Sequence, residues 1–177
     1  MEVMGEERDY IIHNAAVIKG FFGEFRWLSN FHRCEIYFDG FMFPSTENAY
    51  VYAKMDIATI DEVIFKDTLE KLLVCSPAES KKLGRTFPLR EDWELIKFDV
   101  MSAVVFDKFY RHVELRKQLL STGYKHIEET NHWKDVYWGV CDGKGHNQLG
   151  KIHMAIRDYW AKQYPELLNK KKATQLF

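Results

Sequence analysis

The chain of 177 residues contains few cysteines, and this scarcity excludes two classes of structure. Cys34, Cys75 and Cys141 are odd in number and widely spaced, and the sequence has no C-x-x-C pair. A disulfide framework is therefore not expected, nor is a zinc or redox site of the C-x-x-C type. The pattern instead predicts reduced thiols in a cytoplasmic protein.

The sequence also lacks an excess of charge and long apolar runs. Lys and Arg number 25 and Asp and Glu 26, which leaves a formal net charge of −1. The chain as a whole thus lacks the basic field that drives non-specific nucleic-acid binding, and a nucleic-acid role would require a local basic patch. No run of about 18 apolar residues could span a membrane, and the acidic start does not resemble a secretory signal.

Several well-known catalytic motifs are absent. The sequence contains no G-x-S-x-G elbow, no P-loop and no G-x-G-x-x-G fingerprint. Of the seven histidines, His126 and His132, like His146 and His153, do not have the i, i+4 spacing of a helical zinc pair. We therefore expect no metal and no cofactor.

The composition, 46% hydrophobic and 15% aromatic, is sufficient for a folded core, and the length suits one globular domain. We predict a packed N-terminal strand segment in residues 1–20, the domain itself in residues 21–162, and a basic tail in residues 163–177. No internal repeat is present.

The periodicity predicts a helix-rich α+β domain with a small antiparallel sheet. Strands are predicted at residues 10–18, 24–31, 34–38, 41–43 and 133–140. Helices are predicted at residues 46–55, 61–74, 76–83, 92–110, 113–121 and 149–162. Asp39-Gly40, between two strand-like runs, predicts a tight hairpin turn.

The first predicted helix carries an acid and a base on one face. Glu47, Tyr50, Val51 and Lys54 have the spacing i, i+3, i+4 and i+7. A solvated surface stripe is the simpler interpretation. However, the face begins beside Ser29-Asn30-Phe31 in a segment crowded with aromatic residues. A pocket of low dielectric constant there would raise the pKa of the carboxyl group towards general acid–base use.

The long helix and the loop before it supply candidate cations. Trp93, Lys97 and Met101 recur at i, i+4 and i+8, Lys108 is seven residues further on, and Arg85 follows a glycine. Such stripes are usually core with lysine stems that reach water, and a loop arginine is usually solvated. The functional alternative is an anionic ligand with a planar base, since phosphate requires charge and the base requires stacking.

A second group of acids lies near the carboxyl end. Glu128, Glu129 and Asp135 cluster in sequence around Trp133 and Trp138. Paired carboxylates beside aromatic rings are the arrangement that cleaves glycosidic bonds through an oxocarbenium-like transition state.

The segment GHNQLG, residues 145–150, precedes the last predicted helix. Its glycines and Asn147 lie at a helix start, where free amide groups can accept an anion. Helix capping is the alternative interpretation.

Taken together, these fragments resemble the NADAR family, also called YbiA-like proteins. The matching pieces, in the family's order over residues 22–157, are WLSNF, DGFMFPSTENAYVYAK, GR, LREDWELIKFDVM, KF, LLSTG, IEET, DVYWGV and GHNQLGKIHMAIR. The resemblance implies a YbiA-like fold and N-glycosidase activity. Some members hydrolyse the C–N bond of ribosylated pyrimidine intermediates of riboflavin synthesis, and others remove ADP-ribose from guanine in nucleic acid.

The resemblance also implies roles for residues. Ser29, Asn30 and Phe31 would line a pocket for a ribose phosphate and its base, and Glu47 would enter it from the helix. Our hypothesis is that Glu47 or Asp135 acts as base or charge stabiliser while the other acid assists departure of the base. The candidate substrate-binding residues are Ser29, Asn30, Phe31, Lys54, Arg85, Trp93, Lys97, Lys108, Trp138 and Asn147.

Two alternatives remain at this point. One is an ADP-ribosyl glycohydrolase that acts on guanine in DNA, and the other is a non-catalytic module that binds ADP-ribose or a nucleotide. The chain departs from the family after the glutamate, where Asn48-Ala49-Tyr50-Val51 replaces the common His-Tyr-Phe-Gln. Because polar contacts discriminate ligands strongly, this departure bears on the choice of substrate.

Overall fold

The computed structural model describes residues 17–165, which pack as two compact units. One unit comprises residues 26–113, and the other comprises residues 17–25 together with residues 114–165. α-Helices account for about half of the described residues and the sheets are small, so the predicted helix-rich α+β fold is confirmed. The predicted domain ends stay a prediction, and most of the N-terminal segment and of the basic tail lies outside the described residues. No helix in residues 17–165 has the length and apolar character needed to cross a membrane.

The first unit begins with the predicted hairpin. Strand β2, Arg33–Phe38, pairs antiparallel with β3, Phe41–Ser45. The turn residues Asp39 and Gly40 have φ of 49° and 85°, as a tight hairpin turn with two left-handed residues requires. The hairpin prediction is confirmed.

Four helices complete this unit, and all of them start within two residues of the predicted positions. They are α1, Thr46–Ala53; α2, Glu62–Leu72; α3, Pro77–Leu83; and α4, Trp93–Arg111. Helix α1 packs against the hairpin and against each of the other three helices. All eight of its residues are buried, so both its apolar and its polar side chains face protein.

The second unit is built on a short parallel ladder. Strand β1, Val17–Lys19, pairs with β4, His126–Glu128, and helix α6, Gln148–Gln163, lies against β4. The helix approaches the strand so closely that a Cβ atom on Gly150 would lie 2.2 Å from the carbonyl oxygen of Ile127. The remaining elements are α5, Val113–Ser121; β5, Thr130–Asn131; and β6, Val140–Cys141.

Two strand predictions are wrong. Residues 24–31 contain a 3-10 helix, Gly23–Leu28, because Gly23 has φ of 57° and the backbone closes tight turns, as between the N–H of Phe25 and the carbonyl oxygen of Phe22. Residues 133–139 form an irregular loop and only Val140 lies in a strand, β6, because the side-chain oxygens of Asn131 and Asp135 accept hydrogen bonds from the backbone N–H groups of the loop. In both places aromatic composition alone favoured a strand.

Candidate functional site

The candidate site in the first unit is organised by the start of α1. Ser45 caps the helix, since its hydroxyl group accepts a hydrogen bond from the backbone N–H of Asn48. This cap places Glu47 in the first turn, where the residue is only 7% exposed. Among the described residues, the Glu47 carboxylate has no hydrogen-bond or ion-pair partner. A buried carboxylate without a partner lowers the free energy of unfolding.

The environment opposes the charge of Glu47. Burial raises the pKa of its carboxyl group above the ordinary value, and the nearby cations Lys81 and Lys54 offset part of this rise. The carboxyl group is therefore tuned towards proton transfer nearer neutral pH than an exposed glutamate is.

Lys54 lies two turns beyond Glu47, at the end of α1, and rests on two rings. Its Nζ atom is 4.7 Å from the ring centroid of Tyr50 and 5.8 Å from that of Trp93, and the two rings are 4.9 Å apart. Burial lowers the pKa of Lys54, Glu47 raises it, and Lys81 and Arg85 lower it further. Three of the predicted residues, Lys54, Arg85 and Trp93, are thus grouped with Glu47.

Lys81 belongs to the same group of charges, although the sequence did not distinguish it. It lies on α3, and its Nζ atom is 5.5 Å from the ring centroid of Phe31. The capping box of Ser76 and Glu79 marks the start of α3 in the sequence, but this local signal does not separate Lys81 from its neighbours. Without the pairing of α3 with α1, nothing in the sequence distinguished Lys81 from the adjacent Lys82.

The close approach of α3 to α1 depends on Gly84. A Cβ atom at this position would lie 2.9 Å from Cγ1 of Val51, which is closer than packed side chains allow. Gly84 therefore lets the backbone that carries Arg85 lie directly against α1.

The loop Ser29-Asn30-Phe31 is fastened to the same helix start. The backbone carbonyl of Asn30 accepts a hydrogen bond from the N–H of Glu47 at 3.0 Å, and the Ser29 hydroxyl accepts one from the N–H of Phe31. The Oδ1 atom of Asn30 is buried and has no hydrogen-bond partner within the described residues. The structure thus brings this loop to Glu47, as the sequence analysis predicted, and leaves an acceptor beside it.

The other two candidate cations have partners within the protein. Lys97 pairs with Glu94 one turn earlier on α4. Lys108 is fully buried, and its ammonium group donates a hydrogen bond to the carbonyl oxygen of Ser29 at 2.9 Å. Lys108 therefore holds the loop that lines the site.

Asn48, at the departure from the family pattern, faces the interior. Its Nδ2 atom donates hydrogen bonds to the carbonyl oxygens of Leu72, at 2.9 Å, and Cys75, at 3.1 Å. The side chain is fully buried and ties α1 to the end of α2. Asn48 thus satisfies backbone groups that would otherwise be buried without partners.

Three predicted residues belong to the second unit, where two of them organise backbone. The Oδ1 atom of Asp135 accepts hydrogen bonds from the N–H groups of Tyr137 and Trp138. The side chain of Asn147 accepts from the N–H of Glu129 and donates to the carbonyl of Ile127. The Trp138 ring packs edge-on against that of Tyr137, with centroids 4.8 Å apart.

The start of α6 is already occupied by protein groups. The first amide groups, those of Gln148 and Leu149, donate to the carbonyl oxygens of Tyr137 and Trp138. Backbone carbonyl oxygens, rather than a side-chain cap or an anion, therefore satisfy these amide groups, and Asn147 at the helix start forms no side-chain cap. Across residues 17–165, no three His, Cys, Asp or Glu side chains are grouped so as to hold a metal ion.

Comparison with known proteins identifies relatives of the chain. A NADAR domain model matches residues 20–160. The chain is 35% identical over 144 residues to the N-glycosidase YbiA of Escherichia coli, an alignment that covers 79% of this chain and 82% of YbiA. It is 34% identical over 135 residues to a riboflavin biosynthesis protein of Vibrio vulnificus; there the alignment covers 75% of this chain but 35% of the relative.

A solved structure agrees with this assignment. The NMR structure of Escherichia coli YbiA superposes with a TM-score of 0.71 at 32% sequence identity, over 85% of this chain and 88% of YbiA. The fold and the sequence lead to the same conclusion, and the chain belongs to the NADAR domain family.

Proposed function

We propose that the protein is an N-glycosidase that hydrolyses the C–N bond between ribose and base in phosphorylated ribosylaminopyrimidines, which are intermediates of riboflavin biosynthesis. The names of the relatives from Escherichia coli and Vibrio vulnificus support this reaction and this pathway. The observation that carries the proposal is the buried Glu47 carboxylate, which has no partner among the described residues and lies beside cations and aromatic rings.

Glu47 acts as the general base in this proposal. A water molecule attacks the anomeric carbon, the new C–O bond forms as the C–N bond breaks, and the water proton passes to the Glu47 carboxylate. The proton held by Glu47 then passes to the departing nitrogen, so the products are ribose 5-phosphate and the free aminopyrimidine, and the carboxylate is regenerated. The negative charge of Glu47 also stabilises the oxocarbenium-like transition state, an effect that burial strengthens.

The grouping of cations and rings around Glu47 fits such a substrate. Lys54 and Arg85 supply positive charge for the phosphate, the half-buried Phe31 offers a ring to the base, and the buried Trp93 lies behind Lys54. The Oδ1 atom of Asn30 is buried without a hydrogen-bond partner in the described residues, and we assign it to a ribose hydroxyl group of the bound substrate. Lys108 contributes by holding the Ser29 loop, and Ser29, Lys97, Trp138 and Asn147 stay substrate-binding candidates.

We place the protein in the cytoplasm as part of the same proposal. Its three cysteines are free thiols, as a reducing compartment favours. The substrate is a small molecule, and the domain that performs the reaction spans residues 21–162.

Product analysis tests this function. Purified protein with chelator present is incubated with a ribosylaminopyrimidine 5-phosphate, and ribose 5-phosphate is measured by liquid chromatography and mass spectrometry. We expect release by the wild type, loss of at least about a hundredfold in rate for Glu47→Gln, and an unchanged rate for Glu70→Gln, an exposed glutamate on α2. Asp135→Asn tests the second candidate acid separately from Glu47.

Three other results of this experiment would each favour a different conclusion. Release of ADP-ribose from ADP-ribosylated guanine in DNA, without release from the pyrimidine substrate, would move the activity to the nucleic-acid substrate. Binding of ADP-ribose without turnover of either substrate would establish a non-catalytic module. A fully active Glu47→Gln variant would remove Glu47 from the chemistry.

A further inference from the structure

We propose that Lys81 is a specificity-determining residue that binds the phosphate group of the substrate and thereby selects phosphorylated ribosides over unphosphorylated ones. The inference rests on the proposed function, because it assigns a role to a residue within the same site. It is carried by the position of Lys81, by the charges around it, and by its difference from the neighbouring Lys82.

The position of Lys81 is fixed from two sides. The capping box of Ser76 and Glu79 sets the start of α3, and the contact of Gly84 with Val51 sets its end against α1. On this short helix, the Lys81 ammonium group lies over the ring of Phe31, 5.5 Å from its centroid. Phe31 belongs to the loop that is hydrogen-bonded to the backbone of Glu47, so Lys81 faces the start of α1.

The charges of α1 and α3 act on one another. Lys81 lowers the pKa of Glu47 and also that of Lys54, and Arg85 acts on Lys54 in the same sense. The three cations therefore lie within electrostatic reach of one small region rather than on separate faces. Two of them, Lys54 and Lys81, also lie over aromatic rings that hold their side chains in place.

This region carries an excess of positive charge. None of Lys54, Lys81 and Arg85 forms an ion pair with any other described residue, whereas helical lysines elsewhere in the same unit, such as Lys66 and Lys71, pair with acids one turn away. Three cations and the single Glu47 carboxylate leave two positive charges. A phosphate monoester brings nearly two negative charges at neutral pH and would relieve this repulsion.

Lys82 provides a matched control on the same helix. It is exposed like Lys81, but its charge acts on Glu79 at the outer surface rather than on Glu47 or Lys54. A solvated lysine with no role would behave like Lys82 in every assay. The two adjacent residues therefore separate a phosphate contact from a general effect of surface charge.

The test compares Lys81→Gln and Lys82→Gln in the full chain on two substrates, a ribosylaminopyrimidine 5-phosphate and the same riboside without phosphate. We expect Lys81→Gln to lower kcat/KM for the phosphorylated substrate by about tenfold or more, mostly through KM, because a charged contact is lost. The rate on the riboside should be unchanged, and Lys82→Gln should alter neither substrate by more than about twofold. Lys81→Arg should restore most of the activity, since it keeps the charge.

Binding of ribose 5-phosphate, measured by calorimetry against ribose as the control ligand, keeps the inference separate from the proposed reaction. If the wild type binds ribose 5-phosphate through Lys81 but hydrolyses nothing, the phosphate site stands and the N-glycosidase proposal fails. If the wild type and Lys81→Gln hydrolyse the phosphorylated substrate equally well, the reaction stands and the role of Lys81 is wrong. Equal losses on both substrates, or no binding of ribose 5-phosphate by the wild type, would also overturn it.

Discussion

The Glu47 carboxylate occupies a position that lowers the stability of the fold. Its side chain is buried and its backbone N–H is bound to Asn30, yet no described residue donates a hydrogen bond to its carboxylate. Groups held in this way are typical of sites where stability is traded for reactivity. The cost of burying Glu47 can therefore be measured as a change in the stability of the folded protein, without knowledge of the substrate.

We expect Glu47→Gln to be more stable than the wild type at pH 8. Because burial raises the pKa of Glu47 in the folded state, the folded protein binds more protons than the unfolded chain as pH rises above about 4.5. Stability therefore falls through that window in the wild type, and the neutral glutamine avoids the loss. Thermal unfolding should show a Tm higher by a few degrees at pH 8, and this difference should shrink towards pH 4.5.

The matched control is Glu70→Gln, which changes an exposed carboxylate on α2. Its Tm should follow that of the wild type at both pH values. A Glu47→Gln variant that melts below the wild type at pH 8 would mean that the attraction of Glu47 to Lys54 and Lys81 outweighs the cost of its burial.

At the residue scale, part of the arrangement around Glu47 could be predicted from the sequence, whereas the contacts of each side chain could not, and the catalytic role of Glu47 stays a prediction. Helical spacing placed Glu47 and Lys54 on one face of α1. The loop of Ser29, Asn30 and Phe31 was expected beside this face, and it lies there, because Asn30 binds the backbone of Glu47. Lys81 and the inward-facing Asn48 could not be found, because each depends on a neighbouring helix, α1 for Lys81 and α2 for Asn48. Asp135 carried a glycosidase-like pattern, yet one of its oxygens binds two backbone amides.

At the scale of elements, the site depends on how closely α3 approaches α1. Caps and periodicity predicted the helices well, because those signals are local: Ser45, Ser76 and Pro77 mark their starts in sequence as in structure. The strand predictions at 24–31 and 133–140 failed because aromatic composition does not reveal side-chain bonds to the backbone. The contact at Gly84 was likewise invisible, since the glycine also serves as an ordinary helix end.

We expect Gly84→Ala to destabilise the protein by about 1–3 kcal/mol, because the new methyl group would overlap the branched side chain of Val51. Backbone strain is no obstacle, since Gly84 has φ of −61°, which alanine adopts readily. Urea unfolding monitored by tryptophan fluorescence measures the change.

Val51→Ala provides the test of this cause. Val51→Ala alone should cost stability, but in its background Gly84→Ala should no longer do so, and the lower chain entropy of alanine should make it neutral or slightly stabilising. If Gly84→Ala costs as much in the Val51→Ala background as in the wild type, the overlap is not the reason for the glycine.

At the scale of the whole molecule, near-neutral net charge conceals a local cation cluster. The composition indicated correctly that the chain has no general basic field, but a net charge of −1 says nothing about Lys54, Lys81 and Arg85. Lys81 and Arg85 are four residues apart, but Lys54 lies 27 residues before Lys81, and only the packing of α3 against α1 brings its charge near theirs. The overall fold class could be predicted because it sums many local signals, whereas this cluster depends on tertiary packing.

The cluster predicts how the protein responds to salt. Raising NaCl from about 50 to about 300 mM should increase KM for the phosphorylated substrate several-fold, because exposed charges are screened over a Debye length of about 10 Å near 0.1 M. The KM for the unphosphorylated riboside should change little. Steady-state kinetics on both substrates measures this, and equal salt dependence would show that the cluster does not bind the phosphate.

Helix α1 has no side that is free to vary. Its eight residues are all buried, with Asn48 bound to the end of α2, Tyr52 bound to Asp39, and Glu47 in the candidate site. In a deep mutational scan, this segment should therefore tolerate fewer replacements than any exposed helix face. Attempts to evolve a new substrate preference would do better to randomise the exposed Lys81 on α3 and the exposed Arg85 just beyond it, where replacements should not disturb the core.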